Sequence, residues 1–437
     1  MGRVVYAEEN ILSYLKDISQ PDVCTTGLIL GQNMLFFWFE HKNNQNANVP
    51  LKLRSVKEIK ESSIADHAKN VTKMLPGGMW ILGAFICSPT NIFLDSSLDS
   101  KTKSILSHLK KQLSSEPLLN GIGPSDEMLL LHFNTTDSQY TCKSYDYNVM
   151  NSLKTVDWKF QNNITKWCKI KSKFDVGQHA IGCKLSCSLK EQLEIYLKEI
   201  NKILEKTTIV LNKQVPNSKE FVEDLMRCNK LDFASHSNKV PVLKADILVP
   251  CHKSAAQKSL VLKDCDVELH LMGVLASQIL ISQKTTVAEA ISAIKQDIIR
   301  SLMVRFEMHW DSLVEEEYSS PEEKLSIHEP PRRVSVLLPN GLCTLNDYLF
   351  PGEGASEVIS SFKEILDIDI SKENVEKDIE VQGDLMQFYG KAAMEFSSNT
   401  HDKLLESPVF NVYLLFLFSI AITLCAIAIA LFFKKEN

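Results

Sequence analysis

The stretch from Val409 to Phe433, VFNVYLLFLFSIAITLCAIAIALFF, carries no charged residue. No other feature of the chain limits its architecture so sharply. As a helix it rises about 37 Å, against a hydrocarbon core of about 30 Å. Its polar members, Asn411, Ser419 and Thr423, are ones a helix can carry in lipid. Pro408 stands where a helix can begin. Core helices of soluble domains rarely run this far without a charge. The sequence therefore predicts one transmembrane helix, Val409 to Phe433, that anchors the chain in membrane lipid.

Only Lys434, Lys435, Glu436 and Asn437 follow this span. The N-terminus, MGRVVYAEENILSYLKDI, lacks the uninterrupted apolar core of a signal peptide. Gly2 is not followed by the Ser or Thr that the myristoylation pattern requires. A chain of this kind is expected to insert tail first, leaving its domains in the cytosol. Lys434 and Lys435 pull the other way under the positive-inside rule. They also fit a dilysine retrieval signal of the endoplasmic reticulum, which is read only on the cytosolic side. The simpler reading makes them a polar stop at the membrane edge. In a cytosolic domain the sequons at Asn70, Asn134 and Asn163 stay bare.

Composition excludes some functions. A net charge of -6 with no long Lys/Arg run argues against nucleic acid as the main partner. The 11 cysteines are scattered and form no CxxC pair, so no structural zinc site is expected; Cys183 and Cys187 are four apart, and Cys251 precedes His252. There is no glycine-rich phosphate loop and no repeat of fixed period.

Hydrophobic patterning predicts an α/β (α+β) chain. In the first part, helices fall at Glu8–Ile18, Ser63–Met74 and Leu98–Leu113. Strands fall at Thr26–Gly31, Met34–His41, Met79–Cys87, Met128–Phe133 and Tyr140–Tyr147. The apolar run Met79–Cys87, entered through Pro76-Gly77-Gly78, fits a strand buried on both faces. Residues 166–240 are polar, with one helix over Leu189–Leu204. Strands then return at Val242–Val249, Ser259–Leu262 and Val267–Ile281. They are followed by a helix over Val287–Val304, a strand over Arg333–Pro339 and a helix over Glu353–Leu366.

The order helix, strand, strand, helix, buried strand resembles the MPN fold. Thr26–Gly31 is similar to the strand that opens that sheet. Gly83-Ala84-Phe85-Ile86-Cys87-Ser88-Pro89 is similar to the Gly-x-x-His-x-His-Pro segment of MPN metalloproteases, and Ser96-Ser97-Leu98-Asp99 keeps their Ser-x-x-Asp spacing. The resemblance implies that Ile86 and Ser88 stand at the two metal-binding histidine positions and Cys24 at the position of the glutamate base. Only Ser96 and Asp99 match. Isoleucine cannot bind zinc, and a single carboxylate does not hold it. The implied domain is catalytically inactive, with no metal and no cofactor.

Several segments taken together resemble the odorant-response-abnormal protein 4 family. They are Met74–Gly78 with the following WILGAF, Tyr145-Asp146 with Asp157–Gln161, Pro331–Val334 through Leu338-Pro339 to Asp347-Tyr348, and the C-terminal span. The resemblance implies an adaptor at the endoplasmic-reticulum membrane. Such an adaptor recruits the protease of the ubiquitin-fold modifier and assists the folding, export or localisation of seven-helix receptors. The implied organisation is an MPN-like domain without metal ligands over 1–165, a polar connection over 166–240 and a second α/β domain over 241–366. A mobile spacer over 367–408, the span over 409–433 and the tail 434–437 complete it. Two other functions remain open from the residues: a hydrolase with an unrecognised site, such as a nucleophile at Cys24 or Cys87, and a tether for lipid or vesicles.

Overall fold

The computed structural model describes residues 4–32, 35–40, 53–121, 123, 126–147, 153–161, 166–182, 189–228, 240–250, 267–317, 326–328, 330–338 and 343–380. The expected span and the strand Ser259–Leu262 lie outside the described residues. Among the described residues no helix is long and apolar enough to cross a membrane.

The first part runs β1 (Val4–Glu8), α1 (Glu9–Ile18), β2 (Thr25–Gly31), β3 (Leu35–Glu40), α2 (Glu61–Met74), β4 (Trp80–Ser88), α3 (Ser96–Ser115), α4 (Pro117–Asn120), β5 (Glu127–Asn134), β6 (Tyr140–Asp146) and β7 (Leu153–Gln161). Its seven strands form one sheet in the order β1-β7-β6-β5-β4-β2-β3. The inner strands β2, β4 and β5 are apolar runs because both faces are covered. Alternate residues divide between two cores. Ala84, Ile86 and Leu130 join the α2 and α3 side, where Ile64, Ala68, Ile105 and Leu109 lie. Phe85, Cys87, Leu129 and Leu131 join Ile11 and Leu15 of α1. Asp95 caps α3, its carboxylate accepting from the Ser97 N–H at 2.8 Å.

The second part runs β8 (Trp167–Gly182), α5 (Leu189–Glu205), β9 (Thr208–Leu211), α6 (Val222–Cys228), β10 (Val242–Leu248), β11 (Val267–Ser282), α7 (Val287–Glu317) and β12 (Ser326–His328). The sheet order is β12-β11-β8-β10-β9, built on a long antiparallel pair between β8 and β11. The last part, β13 (Arg332–Leu337), β14 (Thr344–Leu349), α8 (Ala355–Leu366) and β15 (Val375–Glu376), forms a three-stranded sheet in the order β14-β13-β15.

These parts do not separate where the sequence suggested. Residues 166–240 are not a polar connection: they supply β8 and β9 to the same sheet as β10 and β11. Val334, Val336, Leu345, Val358 and Phe362 share one apolar cluster with Cys24, Ile64 and Ile105 of the first part. Nor does a spacer begin at Asp367, since β15 pairs with β13 and the side chain of Glu380 is only 4% exposed. The described residues all fall within one compact unit. The physical reason is shared core: α2 and α8 bury apolar faces in common, so neither half is closed alone.

Asp347 on β14 provides a pH prediction. Burial pushes its carboxyl up to about 6, although it accepts from the Tyr348 N–H at 2.9 Å. A carboxyl raised in the folded state stabilises fully below its unfolded value, and that contribution is lost as pH rises through about 6. Asparagine mimics the protonated form. Asp347→Asn is therefore expected to gain about 1–2 kcal/mol at neutral pH in urea unfolding, shrinking to nothing near pH 4. A constant gain or a loss would show that the carboxylate is comfortable there.

Candidate functional site

The C-terminal end of β4 carries the residues that the MPN resemblance singles out. Ile86 is fully buried, in register with Thr26 of β2 and His132 of β5. Ser88 is also buried. Its hydroxyl donates to the Thr90 carbonyl at 2.9 Å, and its Oγ lies 3.1 Å from His132 Nε2. A serine has one hydroxyl proton to give. With that proton on Thr90, the oxygen accepts from Nε2–H, and the imidazole is a donor toward Ser88 rather than a base for it. Cys24 is buried in the same apolar cluster as Ile86, its N–H bonded to Leu53 O at 2.7 Å. Burial pushes its thiol up to about 12, far from a nucleophilic thiolate. Ser96 is exposed in the first turn of α3, and Asp99 pairs with Lys103 at 2.8 Å, one turn along the same helix. The fold thus brings Ile86 and Ser88 side by side on β4. Asp99 makes its ion pair within its own helix.

His132 is the residue of this region that pattern reading missed. A lone histidine in an apolar strand gives no spacing to read. It is 2% exposed and stands edge-on to Phe93, with ring centroids 6.0 Å apart. Burial pushes it down to about 4. Its contribution to stability is full above its unfolded value near 6.5 and is lost as pH falls toward 4. The His132 ring signals in an NMR titration are expected to stay constant from pH 8 to about 5. A midpoint near 6.5 would mean that the ring is solvated.

A second concentration of polar chemistry lies on α7. Asp297, Arg300, Arg305 and His309 are all 0–2% exposed. Asp297 receives a two-pronged bond from Arg333 of β13, at 2.7 and 2.9 Å. It also accepts from Ser277 Oγ at 2.8 Å, the Gln278 N–H at 3.2 Å and the Gly77 N–H at 2.7 Å. Arg300 donates to the carbonyls of Leu75, Pro76 and Leu119. Arg305 pairs with Glu380 at 2.6 Å, and the Glu380 carboxylate also accepts from the N–H groups of Ala276 and Arg333. The Pro76-Gly77-Gly78 turn is held from its other side by Gln32, whose Nε2 donates to Gly78 O at 2.6 Å and Leu280 O at 3.0 Å. Gly77 has no room for a side chain: a Cβ there would lie 2.5 Å from Ala293 O.

This junction joins the two short motifs that stand out in the sequence, Pro76-Gly77-Gly78 and Pro330-Pro331-Arg332-Arg333. They belong to one internal device, with Arg333 inside the fold. Asp297 and the arginines of α7 were missed by pattern reading. Among the partners of Asp297, Gly77 and Arg333 lie 220 and 36 positions away in the chain.

Among the described residues no three His, Cys, Asp or Glu side chains come together to hold a metal ion. Cys24, Cys87, Cys142, Cys168 and Cys343 are buried and form no disulfide.

Comparison with known proteins agrees with the motifs. The human protein odr-4 homolog is 28% identical over 400 residues, covering 86% of each chain. The odorant response abnormal protein 4 of Caenorhabditis elegans is 24% identical over 331 residues, covering 74% of this chain and 66% of that protein. The crystal structure of UfSP from C. elegans superposes with a TM-score of 0.44 at 8% identity, covering 84% of this chain and 57% of that one. The family model described as odorant response abnormal 4-like matches residues 39–377, which takes in the Pro76-Gly77-Gly78 turn, α7 and Arg333. The chain belongs to the ODR4-like family.

Proposed function

We propose that the chain is a non-enzymatic adaptor, anchored by Val409–Phe433 in the endoplasmic-reticulum membrane with its folded part facing the cytosol. It recruits the protease of the ubiquitin-fold modifier and assists the folding, export or localisation of seven-helix receptors. Family membership carries this reading, since a matched relative is named for an abnormal odorant response. The first sheet is an MPN-like domain turned to binding. In support, α1, β2, β3, α2 and β4 follow one another in the order expected of it.

The chemistry at the end of β4 favours an adaptor over a hydrolase. Ile86 offers no lone pair, the Ser88 proton is engaged by Thr90, and the Cys24 thiol is held protonated by burial. A hydrolytic site needs an activated nucleophile or an open metal position.

Mixing the full chain in detergent micelles with the modifier protease tests the reading. A stoichiometric complex on size-exclusion chromatography with light scattering is the expected result. In cells, a glycosylation tag placed after Asn437 is expected to be modified while Asn70, Asn134 and Asn163 stay bare. Absence of a complex argues for a lipid tether or an enzyme. Modified native sequons would place the domains in the lumen and end the cytosolic reading.

A further inference from the structure

A cavity of about 300 Å³ opens at the other end of β4 from Ser88, where β4 and β5 begin and α3 ends. Its apolar lining includes Ile81, Leu82, Leu113 and Met128, and Trp80, Lys110 and Arg300 also border it. It shares Lys110, Ser114 and Asp126 with a wider groove that reaches Lys111 and Tyr147.

Among the described residues, two donors here have no acceptor. Arg300 is 2% exposed, and its described hydrogen bonds use Nε and Nη1. Its Nη2 has no acceptor among the described residues, and a guanidinium can only donate. The Trp80 Nε1–H is buried and likewise without an acceptor. Interior tryptophan N–H groups normally find one.

The charges of the junction point the same way. The Asp297 carboxylate is held by Arg333, and that of Glu380 by Arg305. Three buried guanidinium groups thus meet two buried carboxylates, and Arg300 is left with backbone carbonyls alone. Arg300 feels Asp297 only through space and shares it with Arg333, so its charge is incompletely compensated, and a ligand that supplies a further negative charge is favoured. Lys110 stands 3.6 Å from the largely exposed Asp126 at the rim. Asp126 and Glu127 also border the cavity, so preference for an anion comes from the buried donors and not from net charge.

We infer that this cavity binds a carboxylate group, held by Arg300 Nη2 and the Trp80 Nε1–H with Lys110 at its mouth. The carboxylate belongs either to a free organic acid or to an acidic residue of a peptide lying along the groove.

The five tryptophans allow a direct test on the full chain in micelles. With 15N-labelled tryptophan, the indole signal that disappears in Trp80→Phe identifies Trp80. Glutarate and a short Glu-containing peptide are titrated in, with glutaramide and the matching Gln peptide as uncharged controls. The Trp80 signal is expected to move saturably with the carboxylates and not with the amides. Lys110→Gln, a rim change that leaves the core intact, weakens binding by roughly tenfold. Equal binding of glutarate assigns the site to small acids, and binding of the peptide alone assigns it to an acidic protein segment. A Trp80 signal unmoved at roughly 10 mM carboxylate, or moved equally by the amides, overturns the proposal.

Discussion

Asp297→Asn is expected to destabilise the chain by about 3–5 kcal/mol, although the two side chains have nearly the same shape. Both oxygens of Asp297 are surrounded by donors. Oδ1 accepts from Gly77 and Arg333, and Oδ2 from Ser277, Gln278 and Arg333. Whichever oxygen becomes an amide then faces N–H or O–H groups with a donor of its own. Burial works against the charge of Arg333, but Asp297 outweighs it and holds the guanidinium firmly protonated. Without that carboxylate a buried cation has lost its partner, the costlier way to break a buried ion pair. Replacing both partners, as in Asp297→Leu with Arg333→Met, is expected to recover a large part of the loss, because no charge is then left stranded. Urea unfolding of the single and double variants checks this. A single-variant loss under about 1 kcal/mol would mean that water reaches Asp297.

Gly83→Ala is expected to prevent folding of the first sheet. Gly83 lies on β4 in parallel register with Leu129 of β5, and a Cβ there would sit 1.9 Å from Leu129 O. Extra methyl groups in cores usually cost about 1–3 kcal/mol because side chains shift to make room. Here the obstacle is backbone, and β5 is itself pinned by β6 on its far side. The cost is expected to exceed about 4 kcal/mol, a large share of a domain's stability. Gly123→Ala is the control, since only the Trp80 ring edge, 3.8 Å away, would meet its Cβ. It is expected to stay within about 0.5 kcal/mol of the parent. Comparable soluble yield and melting temperature for the two variants would refute the argument.

Much of the first sheet was legible because its inner strands and helices have strong periods. Met79–Cys87 read as a doubly buried strand and lies within one residue of β4 at each end; the helix over Leu98–Leu113 falls within α3. β7 was not legible. In LKTVDWKFQ only Val156 and Trp158 are buried, and the exposed positions between them look like loop. β8 was missed for a similar reason: Lys169, Lys171 and Lys173 alternate with Cys168, Ile170 and Phe174, and its partner β11 lies far along the chain. The candidate positions at the end of β4 could be listed from the MPN resemblance. That Ser88 meets His132 could not, because the bond crosses between strands from residues 44 positions apart. The α7 junction was hidden most deeply. Gly77 and Asp297 are separated by 220 positions, and no local period reports such a contact.

Glu380, which follows β15, has a mechanical meaning. Its carboxylate grips Arg305, and through backbone N–H groups it also grips β11 and β13. Tension applied beyond this point reaches the middle of the fold before it reaches an edge. The buried ion pair must part before β15 can peel from β13. Once it parts, the pull is already on α7, the helix whose buried charges hold β13 and the Pro76-Gly77-Gly78 turn. A fold pulled in this way is expected to yield in one abrupt step at high force, not to unravel gradually from β15.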